Sequence, residues 1–358
     1  MAQQTLEVLQ STDLKPKPDS SELAFGKYFT DHMFMMDYAA DKGWQRPRIV
    51  PYQPLTMDPS AMVFHYGQTV FEGLKAYRMS DGDIRLFRPE ENFKRMNHSS
   101  ERLSIPPIDE DLMLDYLKEL VKLEKEWIPT EPGTSLYIRP MIISTEESLN
   151  VAPSNTYTFM IILSPVGSFY KEGINPVGIF VEDEYTRAAP GGTGNAKTAG
   201  NYCAAYKAQE RATANNKAQV LWLDAIEKKY IEEVGSMNVF FKIDGEIHTP
   251  VLNGSILEGI TRKSVIELLE HLEMPVQERQ ISMDEVIAAH EAGTLQEVFG
   301  TGTAAVISPV GSLQYKDQDY VVNNGKMGET AKQLYETLIG IQTGRLKDPF
   351  GWTVMLEA

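Results

Sequence analysis

One lysine stands in a segment whose residue types could support chemistry on a phosphate or a carbonyl group. Lys197 follows the run Gly191-Gly-Thr-Gly-Asn-Ala196 and precedes Thr198. A P-loop has the pattern G-x-x-x-x-G-K-[ST], and this segment matches it at every fixed position except Ala196. The stretch Leu221-Trp-Leu-Asp224 also resembles the apolar strand that ends in a magnesium-binding aspartate in P-loop proteins.

Two features disfavour a P-loop. The glycine that normally precedes the lysine lets the backbone wrap closely around phosphate, and alanine restricts that freedom. The strand before the loop should also run straight into it, whereas Glu182-Asp-Glu-Tyr-Thr-Arg187 intervenes and brings acidic side chains towards the phosphate. A P-loop nucleotide-binding protein is therefore kept as a remote alternative.

The second interpretation makes Lys197 a Schiff-base lysine for pyridoxal 5'-phosphate. Such an enzyme also needs a carboxylate for the pyridine nitrogen, a phosphate cup and a site for the substrate carboxylate. Glu232 and Glu233 are the candidate carboxylates, and only one of them can face a cofactor because successive strand residues point to opposite faces. The helix start after Gly259 offers backbone amides for a phosphate, and the turn 300–304 offers hydroxyls and amides.

Other catalytic constellations are missing from the sequence. A zinc site is not expected, because no two of the six histidines stand three to five residues apart and Cys203 is the single cysteine. A G-x-S-x-G nucleophile elbow is also absent. We therefore expect no metal and no serine-hydrolase chemistry.

The composition limits the class of protein. With 358 residues, 42% hydrophobic and 23% charged, the chain is expected to form about two globular domains. A net charge of −16 leaves no basic footprint for nucleic acid or for an anionic membrane surface. One cysteine and an N-terminus without a signal-peptide pattern predict a cytoplasmic location.

The elements that must position these residues alternate between helix and strand in both halves, which predicts an α/β (α+β) fold. Helices are predicted at 111–128, about 200–215, 258–272, 282–290 and 329–341. Strands are predicted at 135–144, 156–166, 177–183, 218–224 and 229–244. The turn-rich segment 167–176 is the predicted linker between an N-terminal small α/β domain, 1–166, and a C-terminal cofactor-binding domain, 177–358.

Ordered blocks along nearly the whole chain resemble the branched-chain-amino-acid aminotransferases, which are fold-type IV enzymes of the class IV aminotransferase family. The blocks are Phe25-Gly-Lys-Tyr-Phe-Thr-Asp-His-Met33, His65-Tyr-Gly-Gln-Thr-Val-Phe-Glu-Gly-Leu-Lys75, Leu86-Phe-Arg-Pro89, Ser135-Leu-Tyr-Ile-Arg-Pro140, Gly194-Asn-Ala-Lys-Thr-Ala-Gly-Asn-Tyr202, Glu233-Val-Gly-Ser-Met-Asn238, Leu252-Asn-Gly-Ser-Ile-Leu-Glu-Gly259, Phe299-Gly-Thr-Gly-Thr-Ala304 and Gly351-Trp352. The resemblance implies two domains with pyridoxal 5'-phosphate at their interface.

The resemblance also implies roles for single residues around the cofactor. Lys197 resembles the lysine that binds the cofactor covalently and then moves the Cα proton of the substrate. Glu233 resembles the acid that keeps the pyridine nitrogen protonated, and Tyr202 resembles the phenol that hydrogen-bonds the ring hydroxyl. The remaining residues implied at the cofactor are Arg95, Ser236, Ile260, Thr261 and Thr303.

A second group of residues resembles the family's substrate pocket. Arg139 resembles the residue that receives the second carboxylate of glutamate, and the Thr303-Ala304 turn resembles the one that holds the α-carboxylate. The implied apolar walls are Phe29, Tyr66, Phe71 and Tyr137.

The function implied by the resemblance is a ping-pong transamination of L-leucine, L-isoleucine and L-valine with 2-oxoglutarate, giving branched-chain 2-oxo acids and L-glutamate. A D-amino-acid aminotransferase or an aminodeoxychorismate lyase on the same fold is the alternative. The expected partners are these small molecules and a second copy of the chain, since the family forms homodimers whose sites take residues from both subunits. Neither nucleic acid nor a membrane is expected as a partner.

Overall fold

The computed structural model describes residues 5–79, 82–167 and 174–357. The chain divides into two compact units, which we treat separately. The first unit comprises Met1–Phe169, Ala196–Ala199 and Gly340–Ala358, and the second comprises Tyr170–Asn195 and Gly200–Ile339. Residues 168–173 of the predicted linker lie outside the described residues, so the division into 1–166 and 177–358 stays a prediction.

The first unit is built on a nine-stranded sheet, whose strands are numbered along the whole chain. They are β1 (Glu7–Val8), β2 (His32–Ala39), β3 (Gly43–Pro51), β4 (Thr69–Phe71), β5 (Leu74–Arg78), β6 (Ile84–Phe87), β7 (Ser135–Ser144), β8 (Thr156–Val166) and β18 (Thr353–Leu356). The strand order is β1-β3-β2-β8-β7-β5-β6-β18, with β4 paired to β7. All of these pairs are antiparallel except β1 with β3.

Three helices accompany this sheet: α1 (Met62–Tyr66), α2 (Pro89–Arg102) and α3 (Glu110–Leu123). Helix α2 starts with a proline, whose missing amide hydrogen would have had no partner in the first turn. Helix α3 is capped by Asp109, whose carboxylate accepts a hydrogen bond from the Leu112 amide at 3.1 Å. The predicted helix at 111–128 is thus an α-helix followed by a 3₁₀ turn at Lys125–Trp127.

Side chains alternate along β7, so the strand has one face in the core of the first unit and an opposite face, which we call the open face. Leu136, Ile138 and Ile142 are fully buried in the core cluster of the first unit, together with residues of α2 and α3. Because neighbouring strand residues point to opposite faces, Tyr137 and Arg139 lie on the other face of the sheet. Strand β4 pairs with β7 so that Phe71 stands opposite Met141, which places the Phe71 side chain on that same open face.

The second unit has its own nine-stranded sheet. Its strands are β9 (Val177–Glu182), β10 (Gln219–Leu223), β11 (Ile231–Val234), β12 (Asn238–Ile243), β13 (Glu246–Pro250), β14 (Val276–Arg279), β15 (Leu295–Gly302), β16 (Val306–Tyr315) and β17 (Gln318–Val321). The strand order is β11-β10-β9-β16-β15-β12-β13-β14, with β17 paired to β16. Strand β9 pairs in parallel with both β10 and β16, whereas β10, β12 and β15 also form antiparallel pairs.

The later helices are α4 (Ala199–Cys203), α5 (Tyr206–Ala214), α6 (Ile260–His271), α7 (Met283–Glu291) and α8 (Glu329–Gln342). Helix α7 is capped by Ser282, whose hydroxyl accepts a hydrogen bond from the Glu285 amide at 3.1 Å. With helices around two sheets, the predicted α/β (α+β) fold is confirmed.

Two predicted elements are interrupted in the structure. The helix expected at about 200–215 is split into α4 and α5, and the strand expected at 229–244 is split into β11 and β12. The second break lies at Gly235, whose φ of +58° reverses the chain and whose Cα lies close to the Gln219 side chain. In the part of the chain that the structure describes, no helix has the length and apolarity needed to cross a membrane.

Candidate functional site

Lys197 is fixed through its backbone beside strand β4. Its carbonyl accepts a hydrogen bond from the Phe71 amide at 3.0 Å, and its own amide donates to Ser99 Oγ at 2.9 Å. The next residue continues this pairing, since the Thr198 hydroxyl donates to the Thr69 carbonyl at 2.8 Å. The lysine side chain therefore starts from a backbone that both β4 and helix α2 hold in place.

This arrangement excludes the P-loop interpretation. In a P-loop the strand leads directly into the glycine-rich turn, and the lysine opens the following helix. Here β9 ends at Glu182, and residues 196–199 pack with the first unit rather than with that strand. The helix that follows, α4, has only five residues.

A cluster on the open face of the first sheet brings together three of the predicted pocket residues and the lysine. The Lys197 Nζ atom lies 5.0 Å from the centroid of the Phe71 ring, and the Arg139 guanidinium carbon lies 4.7 Å from the same centroid. The Arg139 Nη2 atom also donates a hydrogen bond to the Tyr137 hydroxyl at 3.0 Å. The cluster thus places an amine and a guanidinium against one aromatic ring.

The close approach of Tyr137 to the backbone explains one glycine of this cluster. A Cβ atom at Gly73 would lie 2.1 Å from the Tyr137 hydroxyl oxygen, so any other residue would displace this ring. The ring is held from another side by Phe25, with the ring centroids 4.8 Å apart. Tyr137 is therefore fixed between a glycine and a second aromatic ring.

Arg139 retains hydrogen-bonding capacity in this environment. Its Nε atom is buried and has no hydrogen-bond partner among the described residues. A buried donor without a partner is costly, and an incoming carboxylate would satisfy it. The carboxylate-binding role that the sequence resemblance implies for this arginine stays a prediction.

Two predicted pocket residues lie outside this cluster. Phe29 stacks on Tyr52, with the ring centroids 5.2 Å apart, and Tyr66 donates a hydrogen bond from its hydroxyl to the Leu149 carbonyl at 2.5 Å. Within the described ranges, no hydrogen bond or ring contact joins either residue to Arg139. Their proposed substrate contacts stay predictions.

Arg95 lies on helix α2 and forms a buried ion pair that the sequence did not predict. Its Nε and Nη2 atoms donate to the two carboxylate oxygens of Glu72, at 2.7 and 2.8 Å. Glu72 is fully buried, and Asn92 donates to one of its oxygens at 2.8 Å. Glu72 lies within the sequence block 65–75, directly after the predicted pocket residue Phe71. This position is the sequence feature from which a role at the site could have been predicted.

In the second unit, the Glu233 carboxylate on β11 accepts hydrogen bonds from an arginine and a backbone amide. Its Oε1 atom accepts hydrogen bonds from the Leu257 amide at 2.7 Å and from Arg187 Nη2 at 2.9 Å. The same Arg187 nitrogen also donates to the carbonyls of Gly194 and Ser255. Arg187, which in the sequence is only the end of an acidic stretch, therefore holds the Glu233 carboxylate.

Glu232 points to different partners, as strand alternation requires. Its Oε1 atom accepts hydrogen bonds from the Ser255 hydroxyl and from Asn253 Nδ2, so it stabilises the loop that leads to helix α6. Both acids are buried. Glu232 thus has a structural role that is visible in its contacts, whereas Glu233 is paired with an arginine and a backbone amide.

The first turn of helix α6 has the features of an anion-binding site. Its N-cap residue, Gly259, offers no side chain to accept hydrogen bonds from the first-turn amides. A Cβ atom at Gly259 would lie 2.0 Å from the Asn238 side-chain oxygen, so this position requires glycine. A helix of 12 residues also presents the positive end of its dipole at this point.

The remaining predicted residues of the second unit lie in turns or short helices. Thr303 and Ala304 form the turn between β15 and β16, Ser236 lies in the turn between β11 and β12, and half-buried Tyr202 lies in α4. Cys203, the last residue of α4, is exposed. No group of three or more histidine, cysteine or acidic residues that could hold a metal ion is found among the described residues.

Comparison with known proteins places this geometry in a family context. The family model described as "Amino-transferase class IV" matches residues 69–313. The chain is 64% identical to branched-chain-amino-acid aminotransferase 2 of Bacillus subtilis over 358 residues, which covers 100% of this chain and 99% of that protein. It is 60% identical to branched-chain-amino-acid transaminase 1 of the same organism over 341 residues, covering 95% and 96%.

A solved structure from Escherichia coli is similar as well. Its branched-chain amino acid aminotransferase aligns with this chain at a TM-score of 0.74 and 26% identity. The alignment covers 90% of this chain and 98% of that one.

Proposed function

Because the chain belongs to the class IV aminotransferase family, we propose that it transfers the amino group of L-leucine, L-isoleucine and L-valine to 2-oxoglutarate with pyridoxal 5'-phosphate as cofactor. The family predicted from the sequence blocks is confirmed. The products are branched-chain 2-oxo acids and L-glutamate, and the enzyme alternates between two half-reactions.

The residues present fit this cofactor. A pyridoxal phosphate site needs an amine, donors for a phosphate dianion and an anion for the pyridine nitrogen. The first unit, taken by itself, contains an amine and a guanidinium of these types, Lys197 and Arg95. The second unit, taken by itself, contains the first-turn amides of α6 and the Glu233 carboxylate. When bound, the pyridoxal group acts as an electron sink that acidifies the Cα–H bond of the amino acid.

Each residue of this set has a chemical task. The Lys197 Nζ atom would take the proton from the substrate Cα and later return a proton, as a positioned general base and acid. The Glu233 carboxylate would hold the pyridine nitrogen of the cofactor in its protonated form, and Tyr202 would hydrogen-bond the ring hydroxyl. Thr261, Ile260, Ser236 and Thr303 complete the phosphate cup, and Thr303 and Ala304 hold the substrate α-carboxylate.

The observation that carries the proposal is that Lys197 and Arg139 both lie against the aromatic ring of Phe71. The pocket must hold both an aliphatic side chain and a glutamate side chain. Burying an isobutyl group contributes about 1.5–3 kcal/mol, whereas an unpaired buried carboxylate costs several kcal/mol. An arginine beside aromatic walls satisfies both requirements, since it pairs with the carboxylate only when glutamate is present.

Arg139→Met is expected to separate the two half-reactions. The variant keeps the length and apolar bulk of the side chain but removes the charge that a second carboxylate requires. Losing a charge-assisted, bidentate partner costs roughly 1.5–3 kcal/mol, so binding of 2-oxoglutarate should weaken by about ten- to a hundred-fold. Single-turnover measurements of leucine with the pyridoxal form and of 2-oxoglutarate with the pyridoxamine form would show this.

The leucine half-reaction serves as the internal control of that experiment, because leucine brings no second carboxylate. It should change little in Arg139→Met. An equal loss in both half-reactions would mean that Arg139 maintains the pocket through Tyr137 and Phe71, and dual specificity would then need another explanation.

We also propose that the protein acts as a cytoplasmic homodimer. Apolar side chains of α1 and of the 147–153 loop, which lies between β7 and β8, are exposed: Phe64 by 62%, Tyr66 by 43%, Leu149 by 64% and Val151 by 88%. The loop and the helix are joined by the hydrogen bond from Tyr66 to Leu149. An apolar surface of this kind favours contact with another protein surface, and a second copy of the chain is the proposed partner.

A further inference from the structure

We propose that Glu72 is a positioning residue of the cofactor site, which holds the Arg95 guanidinium in place and keeps a negative charge beside the Lys197 amine. The inference rests on the proposed function, since it concerns the cofactor that Lys197 and Arg95 would bind. Glu72 acts through its two basic neighbours rather than by touching substrate or cofactor.

The contacts of the Glu72 carboxylate define its geometry. One oxygen accepts from Arg95 Nε at 2.7 Å, and the other accepts from Arg95 Nη2 at 2.8 Å, from Asn92 Nδ2 at 2.8 Å and from the Gly73 amide at 3.2 Å. Two parallel hydrogen bonds fix the plane of a guanidinium as well as its position. Arg95 is therefore oriented before any phosphate arrives.

The backbone places this carboxylate beside Lys197. The amide of Phe71, one residue before Glu72, donates a hydrogen bond to the Lys197 carbonyl. The Glu72 amide donates a hydrogen bond to the Pro140 carbonyl at 2.8 Å. Asn92, Arg95 and Ser99 follow one another at spacings of three and four residues, so they share one face of α2. That face contacts Glu72 through Asn92 and Arg95, and it contacts the Lys197 amide through Ser99.

Glu72 is ionised in this environment. Burial alone would raise the pKa of its carboxyl group, but the charge of Arg95 and its hydrogen bonds, the charge of Lys197 and the hydrogen bond from Asn92 together hold that pKa below its usual value. Arg95 and Lys197 are the charged groups that act on it among the described residues. The buried Glu72 carboxylate thus interacts electrostatically with both Arg95, the proposed phosphate ligand, and Lys197, the proposed catalytic lysine.

The negative charge of Glu72 is expected to affect the protonation state of the bound cofactor. A negative charge near the Lys197 nitrogen favours the protonated, cationic form of any group built on that nitrogen. Removing the charge of Glu72 also leaves the positive charge of Arg95 without the negative charge that Glu72 provides. Both effects favour loss of the proton, so they act in the same direction.

The test uses the holoenzyme of Glu72→Gln and measures the change in cofactor absorbance with pH. The midpoint of this change should move down by about one pH unit or more relative to the unmodified protein. Cofactor affinity should also fall by about ten-fold, because the arginine loses its two-point partner. Glu182→Gln is the matched control, since Glu182 is equally buried and pairs with Arg211; its midpoint should not move.

A second variant covers the case in which Glu72→Gln does not fold. Glu72→Asp keeps the charge but shortens the reach, so its midpoint should stay near that of the unmodified protein while cofactor affinity falls. An unchanged midpoint in folded Glu72→Gln, or unchanged affinity in Glu72→Asp, would reduce Glu72 to a structural ion pair. If the unmodified protein binds no pyridoxal phosphate at Lys197 at all, the proposed function fails instead, and this outcome is distinct.

Discussion

Lys197→Ala is expected to lose transamination by at least about 10⁴-fold, the upper end of what one positioned acid–base group contributes. Under the proposed function, the variant lacks both the amine that would bind the cofactor covalently and the base that would move the Cα proton. Initial rates with L-leucine and 2-oxoglutarate, measured on a protein whose fold is checked by circular dichroism, would test this. Lys207→Ala is the matched control, because Lys207 is an exposed lysine on α5 that pairs with Glu210.

Chemical trapping identifies the lysine directly. Borohydride reduction of the holoenzyme followed by peptide mapping should place the pyridoxyl group on Lys197. Lys75 is the strongest competitor, because burial lowers its pKa to about 8. A larger fraction of its side chain is therefore the neutral, nucleophilic amine near neutral pH. A pyridoxyl group on Lys75 or Lys207, with Lys197 unmodified, would overturn the assignment.

Glu233→Gln is expected to lower kcat by about 10²–10³-fold, the loss typical of removing one preorganised electrostatic contact in an active site. The amide cannot hold a proton on the pyridine nitrogen, and it cannot form a charged pair with Arg187, which now lies 2.9 Å from the carboxylate. Steady-state kinetics at saturating substrate and cofactor would measure the change.

Glu232→Gln provides the control for that variant within the same strand. Its hydrogen bonds run to the loop residues Asn253 and Ser255, so the substitution should lower thermal stability more than kcat. Equal losses of kcat in the two variants would show that both acids act on the cofactor indirectly, through the loop before α6. The choice of Glu233 over Glu232, which rests on the family resemblance, would then be wrong.

Much of the fold follows from local patterns in the sequence. The strands at 135–144 and 156–166 and the helix capped at Ser282 were predictable, because β-branched runs and a capping box are local signals. The break at Gly235 was not, since a single glycine in an apolar run does not reveal that the chain reverses there. Long-range packing also assigns residues 196–199 to the first unit, which no local pattern indicates.

The candidate site shows the same limit. Lys197 was reached from a motif with recognisable spacing, and Arg139 and Tyr137 from the resemblance to a known family. The structure brings all three together around Phe71. Glu72 and Arg187 were missed as contributors, because each acts by pairing with a residue far away in the sequence. Such pairs depend on tertiary structure, and no spacing along one segment reveals them.

The most direct test of the central claim is an amino-donor assay of the purified holoenzyme with L-leucine and D-leucine, using 2-oxoglutarate as acceptor. We predict that L-leucine gives its branched 2-oxo acid and L-glutamate in equal amounts, while D-leucine gives no product above background. Transamination of D-leucine, or no transamination of L-leucine, would contradict the proposed branched-chain aminotransferase activity.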